Sequence, residues 1–532
     1  MPAISLRTCF LFSMLALTLF EAGATARAAD EAAASKRPNI LLIYTDDHSH
    51  RSVSCYPEAW DFVKTPNIDR LAKRGVRFAH AFIGTWCMPS RATMLTGHHQ
   101  HGVNSMRMVG QYPGSTYDPA EAPFWPKVFR SEGYNTAHVG KWHTGTDTGA
   151  GRDWDWQAVW NRPKYQQNSG HYFYDQIMEF SGKDQKTETK LVRGYSTDNY
   201  TNLAEDYIRG EHREEGRPWY LWVCYGAVHG PFTPAVRDRA AYPNVKIPIP
   251  KDIFPPRPGK PAYMQDINFW EPGPNGIPQL TGGTFGGRTV EGARCIHGNS
   301  LFDWVRQYHQ GVLGLDKAVG RLVAALEESK QLENTLIVFT SDQGFAWGQH
   351  GFRTKLAPYD ANIRSPLIVS MPGTIPEGKV VPHPVAGVDL IPTFFSFAGI
   401  KQPWKMHGHD LTPLLKDPTS KWDHPAMVTF TGRNYGKDTN QIPDDPDAHY
   451  LNGVPWYLSL RKERYKYIRT LVEGEIEELY DIENDPEELT NLALSKSHAK
   501  RLQEYRKALI AELRRTDAGI VDNLPAIKRL GD

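Results

Sequence analysis

The segment Asn39-Ile40-Leu41-Leu42-Ile43-Tyr44, running into Thr45-Asp46-Asp47-His48, decides the fold. A largely apolar run stopped abruptly by carboxylates reads as a strand buried on both faces, with its polar groups at the carboxyl end. Thr335 to Thr340, TLIVFT, repeats the pattern and stops at Ser341-Asp342-Gln343-Gly344. Working outward, Thr136 to Val139, Tyr220 to Tyr225 and Leu367 to Val369 read as further strands. Trp304 to Leu326 carries Leu315, Val319, Leu322, Val323 and Leu326 on one recurring face, which predicts a helix feeding the strand at Thr335. Strands alternating with helices give the expected class: α/β, a large mixed, mostly parallel sheet sandwiched by helices. Ligands in such sheets lie outside the carboxyl ends of the strands.

Of 532 residues, 61 are Lys or Arg and 60 are Asp or Glu, so no single-sign field favours nucleic acid or an anionic membrane. At 40% hydrophobic and 23% charged residues, the composition suits a globular protein with a large core and excludes a disordered or polytopic chain. Arg7, the apolar run Phe10 to Phe20, and then Ala24-Thr25-Ala26 or Ala26-Arg27-Ala28 read as a secretory signal over residues 1–28. The run is too short to span a bilayer, so export to the periplasm or the extracellular space is expected, without stable membrane insertion. Cys55, Cys87, Cys224 and Cys295 follow it, too few for a disulfide framework, although one bridge among Cys55, Cys224 and Cys295 stays open.

A catalytic α/β domain is expected over residues 36–400 and a smaller α+β domain over 401–532. In the latter, Tyr457 to Thr470, YLSLRKERYKYIRT, alternates apolar and basic residues about Lys462-Glu463, as two short antiparallel strands would. A charged helix around Lys496 to Arg515 follows. Pro231 to Gly292, rich in Pro and Gly, is expected to form long loops over the core, serving as binding loops or a lid. Asn199-Tyr200-Thr201 has the pattern of an N-glycosylation acceptor.

The chemistry concentrates in Cys87-Met88-Pro89-Ser90-Arg91, followed by Ala92-Thr93-Met94-Leu95-Thr96-Gly97. Pro89 suits a first helical turn, and the four-residue spacing sets Cys87 and Arg91 on one helical face, near free N–H donors and the positive helix end. Taken alone, these residues favour a buried structural cysteine at a helix start. The surrounding words change that reading: Asp46-Asp47, Gly140-Lys141-Trp142-His143, His229 after a central strand, Asp342-Gln343, and Lys355.

With these words the chain resembles the type I, formylglycine-dependent sulfatases of the alkaline phosphatase-like superfamily, across roughly Lys36 to Leu492. The resemblance implies that Cys87 is oxidised to formylglycine (3-oxoalanine) by a formylglycine-generating or anaerobic sulfatase-maturating enzyme. It implies metal ligands at Asp46, Asp47, Asp342 and Gln343, with residue 87 itself completing the shell. It also places Arg91, Lys141, His143, His229 and Lys355 in the catalytic set. Three carboxylates from two strand ends need a cation, and hard oxygen donors suit Ca²⁺, or less well Mg²⁺. The implied activity is a sulfuric ester hydrolase acting on a sulfated small molecule or oligosaccharide, without nucleic acid as partner. The hydrated aldehyde would attack sulfur, His229 would protonate the leaving alcohol, Lys355 and Arg91 would steady the transferring group, and His143 would deprotonate the second hydroxyl to release sulfate. The alternative on the same site is a phosphonate monoester or phosphodiester hydrolase.

For specificity, Trp154, Trp156 and Trp160 are candidate sugar-stacking residues, and Arg107, Arg152 and Arg193 candidate anion contacts. His98, His99, His101, Trp456 and Tyr457 are further candidates for the cleft, and His48 and His50 for a loop or substrate-facing role. Gln343 departs from the usual Asn or His by length, which bears on metal geometry, and Tyr359-Asp360 departs from a Tyr-Glu word.

Overall fold

The computed structural model describes residues 37–107, 116–118, 124–282, 289–290, 293–294 and 298–528. The expected export signal, Cys295 and the Arg107 side chain lie outside the described residues. Strand β1, Asn39–Thr45, lies inside a ten-stranded sheet with β2 (Val76–Phe82), β3 (Asn135–Trp142), β4 (Trp156–Asn161), β5 (Tyr174–Ser181), β6 (Thr187–Tyr195), β7 (Trp219–Cys224), β8 (Thr335–Ser341), β9 (Leu367–Ser370) and β10 (Lys379–Ala386). The order is β10-β2-β9-β8-β1-β7-β3-β4-β5-β6. Only β9 and β5 run against the rest, so the sheet is mixed and mostly parallel.

The apolar run of β1 is continuous because both sheet faces are covered. Leu41 and Ile43 point into one core, packed with Leu315, Val319 and Leu322 of the helix Leu301–Glu328. Ile40, Leu42 and Tyr44 point into the other, with Trp125 and Phe129 of the helix Trp125–Ser131 and Phe394 of the helix Leu390–Ala398. Truncating such a fully buried leucine to alanine costs about 2–5 kcal/mol. The expected strands are present, with β3 running on past Val139 so that Lys141 is itself a strand residue.

Register carries the chemistry. Thr45 of β1 pairs with Ser341 of β8, so the residues just past each strand, Asp46 and Asp342, emerge side by side. Cys224 of β7 pairs with Tyr44 on one side and Gly140 on the other. At Gly140 (φ 105°) a Cβ would lie 2.2 Å from the Cys224 carbonyl oxygen, so only glycine lets the two strands close just before Lys141.

We label the helix Cys87–Thr96 α1; it ends at Gly97, whose left-handed backbone (φ 71°) caps it. A four-stranded antiparallel sheet, Ala426–Phe430, Tyr457–Lys462, Tyr465–Thr470 and Glu477–Asp481, packs on it. One face of this sheet, with Leu458, Leu460, Tyr467 and Leu479, is covered by Leu502, Leu509 and Leu513 of the helix Ala499–Arg515, which we label α2. The other face, with Phe430, Tyr457, Ile468 and Tyr480, meets Trp86, Met88 and Ala92 at the start of α1. The described part of the Pro231 to Gly292 tract is mostly irregular, with short 3₁₀ turns and two-residue strands, and buries Ile253, Met264 and Trp270. No helix among the described residues is long and apolar enough to cross a membrane.

Candidate active site

Cys87 opens α1 at the point where β1, β8 and the segment after β7 end, and it is 2% exposed. Its Sγ lies 3.2 Å from Asp46 Oδ1 and 3.0 Å from Lys355 Nζ. Lys355 Nζ also donates to Asp47 Oδ1 at 2.7 Å. Lys141 Nζ donates to Asp46 Oδ2, and both side chains are fully buried. One nitrogen of Arg91, Nη2, reaches carboxylates from two strands, Asp342 Oδ2 at 3.3 Å and Asp46 Oδ2 at 3.6 Å.

Asp47 adopts a left-handed backbone (φ 56°), a conformation that costs a non-glycine residue about 1–3 kcal/mol. Asp342 Oδ1 accepts the Asp47 N–H at 2.9 Å, and the Tyr308 hydroxyl donates to the Asp47 carbonyl at 2.6 Å. These bonds hold the turn that presents the two adjacent carboxylates to one side.

Most side chains of the site are buried, and burial dominates their acid–base chemistry. It pushes the Asp47 carboxyl up against the pull of Lys355, and the Cys87 thiol up to about 12. Burial, then Lys355, Lys141 and Arg162, push His229 well below the usual histidine range. Burial and Arg162, whose Nη1 is 3.0 Å from His143 Nε2, do the same to His143. His229 Nε2 is 3.8 Å from Asp47 Oδ2.

A metal would find four groups, from Asp46, Asp47, Cys87 and His229, with ligand atoms within 4.8 Å of one another. Asp342 adjoins this cluster through the Asp47 N–H and Arg91. Gln343 Nε2 meets Asp47 Oδ1, while its Oε1 is buried without a hydrogen-bond partner. A stranded amide oxygen beside paired carboxylates fits a hard divalent cation.

The residues singled out from the sequence for catalysis and metal binding thus converge, His143 through Arg162, whose guanidinium lies over the Tyr172 ring that stacks on His229. The specificity candidates do not. Trp154, Trp156 and Trp160 are 0%, 6% and 0% exposed, packed on Tyr220, Tyr207 and Tyr172. Arg152 is tied to Asp147 and Asp153, and Arg193 stands exposed on the edge strand β6. Trp456 donates to the Ala448 carbonyl and Tyr457 to the Leu356 carbonyl from buried positions. His98, His99 and His101 cluster with His407 at the far end of α1. His48 and His50 are interior, with Nδ1 atoms near Thr45 Oγ1 and the Arg364 carbonyl. For the aromatic and histidine candidates the physical reason is shared: large amphipathic rings gain most by burial, and a single sequence does not show which ones the sheet covers. Conversely, Tyr172, Arg162 and Cys224, which border Lys141, His143, His229 and Arg91, carry no motif that would have marked them. Cys55, Cys87 and Cys224 are free thiols.

A cleft of about 550 Å³ opens from Lys355, between Asp266–Phe269, Phe352–Leu356 and the turn at Asn452–Val454. Fold and site together define a hydrolase built around a buried helix-end cysteine and strand-end carboxylates. Residues 38–400 match the sulfatase family, and residues 348–516 the C-terminal part of N-sulphoglucosamine sulphohydrolase. The chain belongs to the sulfatase family, enzymes that hydrolyse sulfate esters. It is 29% identical over 518 residues to N-acetylglucosamine-6-O-sulfatase of Bacteroides thetaiotaomicron, covering 89% of this chain and 86% of that one. To human N-acetylglucosamine-6-sulfatase it is 26% identical, covering 87% and 82%. A structure solved with its substrate D-glucosamine-2-N,6-O-disulfate superposes with a TM-score of 0.74 at 25% identity, covering 92% and 99%. A phosphonate monoester hydrolase of Agrobacterium radiobacter shares the fold, with a TM-score of 0.65 at 23% identity and 90% and 96% coverage.

Proposed function

We propose that this sulfatase acts on a sulfated saccharide, with amino sugars carrying a 6-O-sulfate as the leading substrates, after Cys87 has been converted to formylglycine. The observation that carries the reading is the position of Cys87 Sγ, 3.2 Å from Asp46 Oδ1 and 3.0 Å from Lys355 Nζ. A thiol pushed up to about 12 is no thiolate at neutral pH, so an unmodified cysteine makes a poor nucleophile in this pocket. The formylglycine hydrate supplies a hydroxyl there instead. Asp46, Asp47, Asp342 and Gln343 would hold Ca²⁺, preferred over Mg²⁺ because an amide oxygen is an ordinary Ca²⁺ ligand, and the cation would act as a Lewis acid toward the sulfate group.

The chain's own side chains do the rest. Arg91 and Lys141 both bind Asp46 and offset its charge beside residue 87. Lys355 faces both Asp47 and residue 87, where it counters negative charge on the group being transferred. His229 Nε2 points into the site as proton donor to the leaving oxygen. Burial, then Lys355 and Lys141, keep His229 neutral in the free enzyme, and the negative charge of a bound sulfate ester offsets the contribution of the lysines. His143, kept neutral by burial and Arg162, is the base for the second hydroxyl of residue 87. The cleft supports a sugar as the alcohol. Asp266, Asn268 and Asn452 offer hydroxyl partners, and Phe269 an apolar face. The N-terminal signal sequence supports export to the periplasm or beyond, with a formylglycine-forming enzyme as maturation partner.

Mass analysis of the peptide containing residue 87, from protein produced with a maturation enzyme, is expected to show the aldehyde. A screen of sulfated amino sugars against a matched phosphonate monoester is expected to favour the sulfates. Active protein bearing only unmodified thiol, or a clear preference for the phosphonate, would overturn the reading.

A further inference from the structure

Tyr172 lies in the connection between β4 and β5, with no sequence feature to mark it. Its ring is stacked on the His229 imidazole, centroids 3.9 Å apart and planes within 2°. Its hydroxyl oxygen is 3.2 Å from His229 Nε2. The other ring nitrogen, Nδ1, meets the Gly230 carbonyl, which can only accept, so Nδ1 carries the hydrogen and Nε2 is the nitrogen that exchanges a proton with a ligand. A histidine held by one Nδ1 bond alone can still tilt about that bond. The face contact removes the tilt and so sets the plane in which Nε2 points, toward the same space as Asp47 Oδ2, 3.8 Å away.

Tyr172 is itself braced. Its carbonyl accepts the Ser196 hydroxyl at 2.7 Å, and Trp160 meets its ring edge-on at 5.0 Å. Gly226 passes so close that a Cβ there would lie 2.9 Å from the Tyr172 carbonyl oxygen. Lys141 Nζ and Arg162 Cζ lie 5.0 and 4.7 Å from the ring centroid, tying the same ring to two buried cations.

We propose that Tyr172 is the positioning residue of the proton donor: its ring face fixes the plane of the His229 imidazole, and with it the direction in which Nε2 meets the leaving oxygen of the ester. The inference rests on reading His229 as that donor. A misaimed donor harms poor leaving groups most, because a good leaving group departs without help. The test uses the matured, metal-loaded full chain with phenyl sulfate and 4-nitrophenyl sulfate. Tyr172→Leu removes the face contact and Tyr172→Phe keeps it; the leucine variant is expected to lower kcat about 10-fold more on phenyl sulfate than on 4-nitrophenyl sulfate, with KM shifted less than about 3-fold, and the phenylalanine variant to restore the native ratio. His229→Asn should show the same discrimination more strongly. A crystal structure of Tyr172→Leu is expected to show the His229 ring in more than one orientation. Equal losses on both substrates in Tyr172→Leu, with His229→Asn still discriminating, would leave Tyr172 a packing residue and overturn the inference alone. Equal losses in His229→Asn would overturn the donor reading and this inference with it.

Discussion

At the scale of single residues, Gln343 shows how a departure from the usual ligand is accommodated. Its longer side chain lets Nε2 reach Asp47 Oδ1 while Oε1 stays buried and unpaired. An amide oxygen without a donor costs free energy that a bound cation would offset. Gln343→Leu keeps the bulk and removes the donor. It is expected to weaken Ca²⁺ binding at least about 10-fold by titration calorimetry on chelator-stripped protein, and Gln343→Asn by less. Unchanged affinity in the leucine variant would exclude Gln343 from the metal shell.

At the scale of elements, the four-stranded antiparallel sheet is docked by apolar contact at the start of α1 and by buried charge at Asp360, in the short helix Asp360–Ile363. Lys466 Nζ, on the strand Tyr465–Thr470, lies 2.8 Å from Asp360 Oδ1 and 2.8 Å from Glu488 Oε1, with all three side chains buried. The Tyr359-Asp360 word is therefore explained by docking: Asp360 binds Lys466, and Tyr359 donates to Glu478. Breaking a buried pair strands its partners and costs about 3–5 kcal/mol, whereas replacing the whole set costs much less. Lys466→Met is expected to lower unfolding free energy by about that amount in urea titrations. Adding Asp360→Asn and Glu488→Gln should restore part of the loss. A triple variant no more stable than the single one would show that the charges are not what Lys466 satisfies.

At the scale of the whole molecule, burial of neutral histidines sets the response to acid. Burial pushes His101, His309 and His350, from three different parts of the chain, down to about 4. Their unfolded values lie near 6.5, so between about pH 6.5 and 4 the unfolded chain binds more protons than the folded one. Their stabilisation is complete above about pH 6.5 and is lost as pH falls toward about 4, at roughly 1.4 kcal/mol per pH unit for each histidine. Calorimetry is expected to show Tm rising from about pH 4.5 to 6.5, and His309→Phe should make that rise shallower. A flat profile would contradict it.

The strand runs at β1 and β8 and the helix Leu301–Glu328 were legible in the sequence because elements buried on both faces, or along one, write their periodicity directly into residue order. Cys87, Asp46, Asp342 and Lys141 were legible for a related reason: each sits at or next to the end of such an element, whereas His229 and Lys355 lie in irregular chain and were marked only by the family resemblance. Strands β5 and β6 and the helix Ser196–Arg209 were not foreseen: β6 is an exposed edge strand, and β5 and the helix carry polar residues among their buried ones, so no clean period marks them. By itself the sequence determined the class of sheet, the polar ends of its strands and the cysteine helix. Only the tertiary structure decided that Trp154, Trp160 and Trp456 fill cores, and that Tyr172 stacks on His229. Those outcomes depend on strand register and on which face each chain segment covers, quantities set by contacts between residues far apart in the chain.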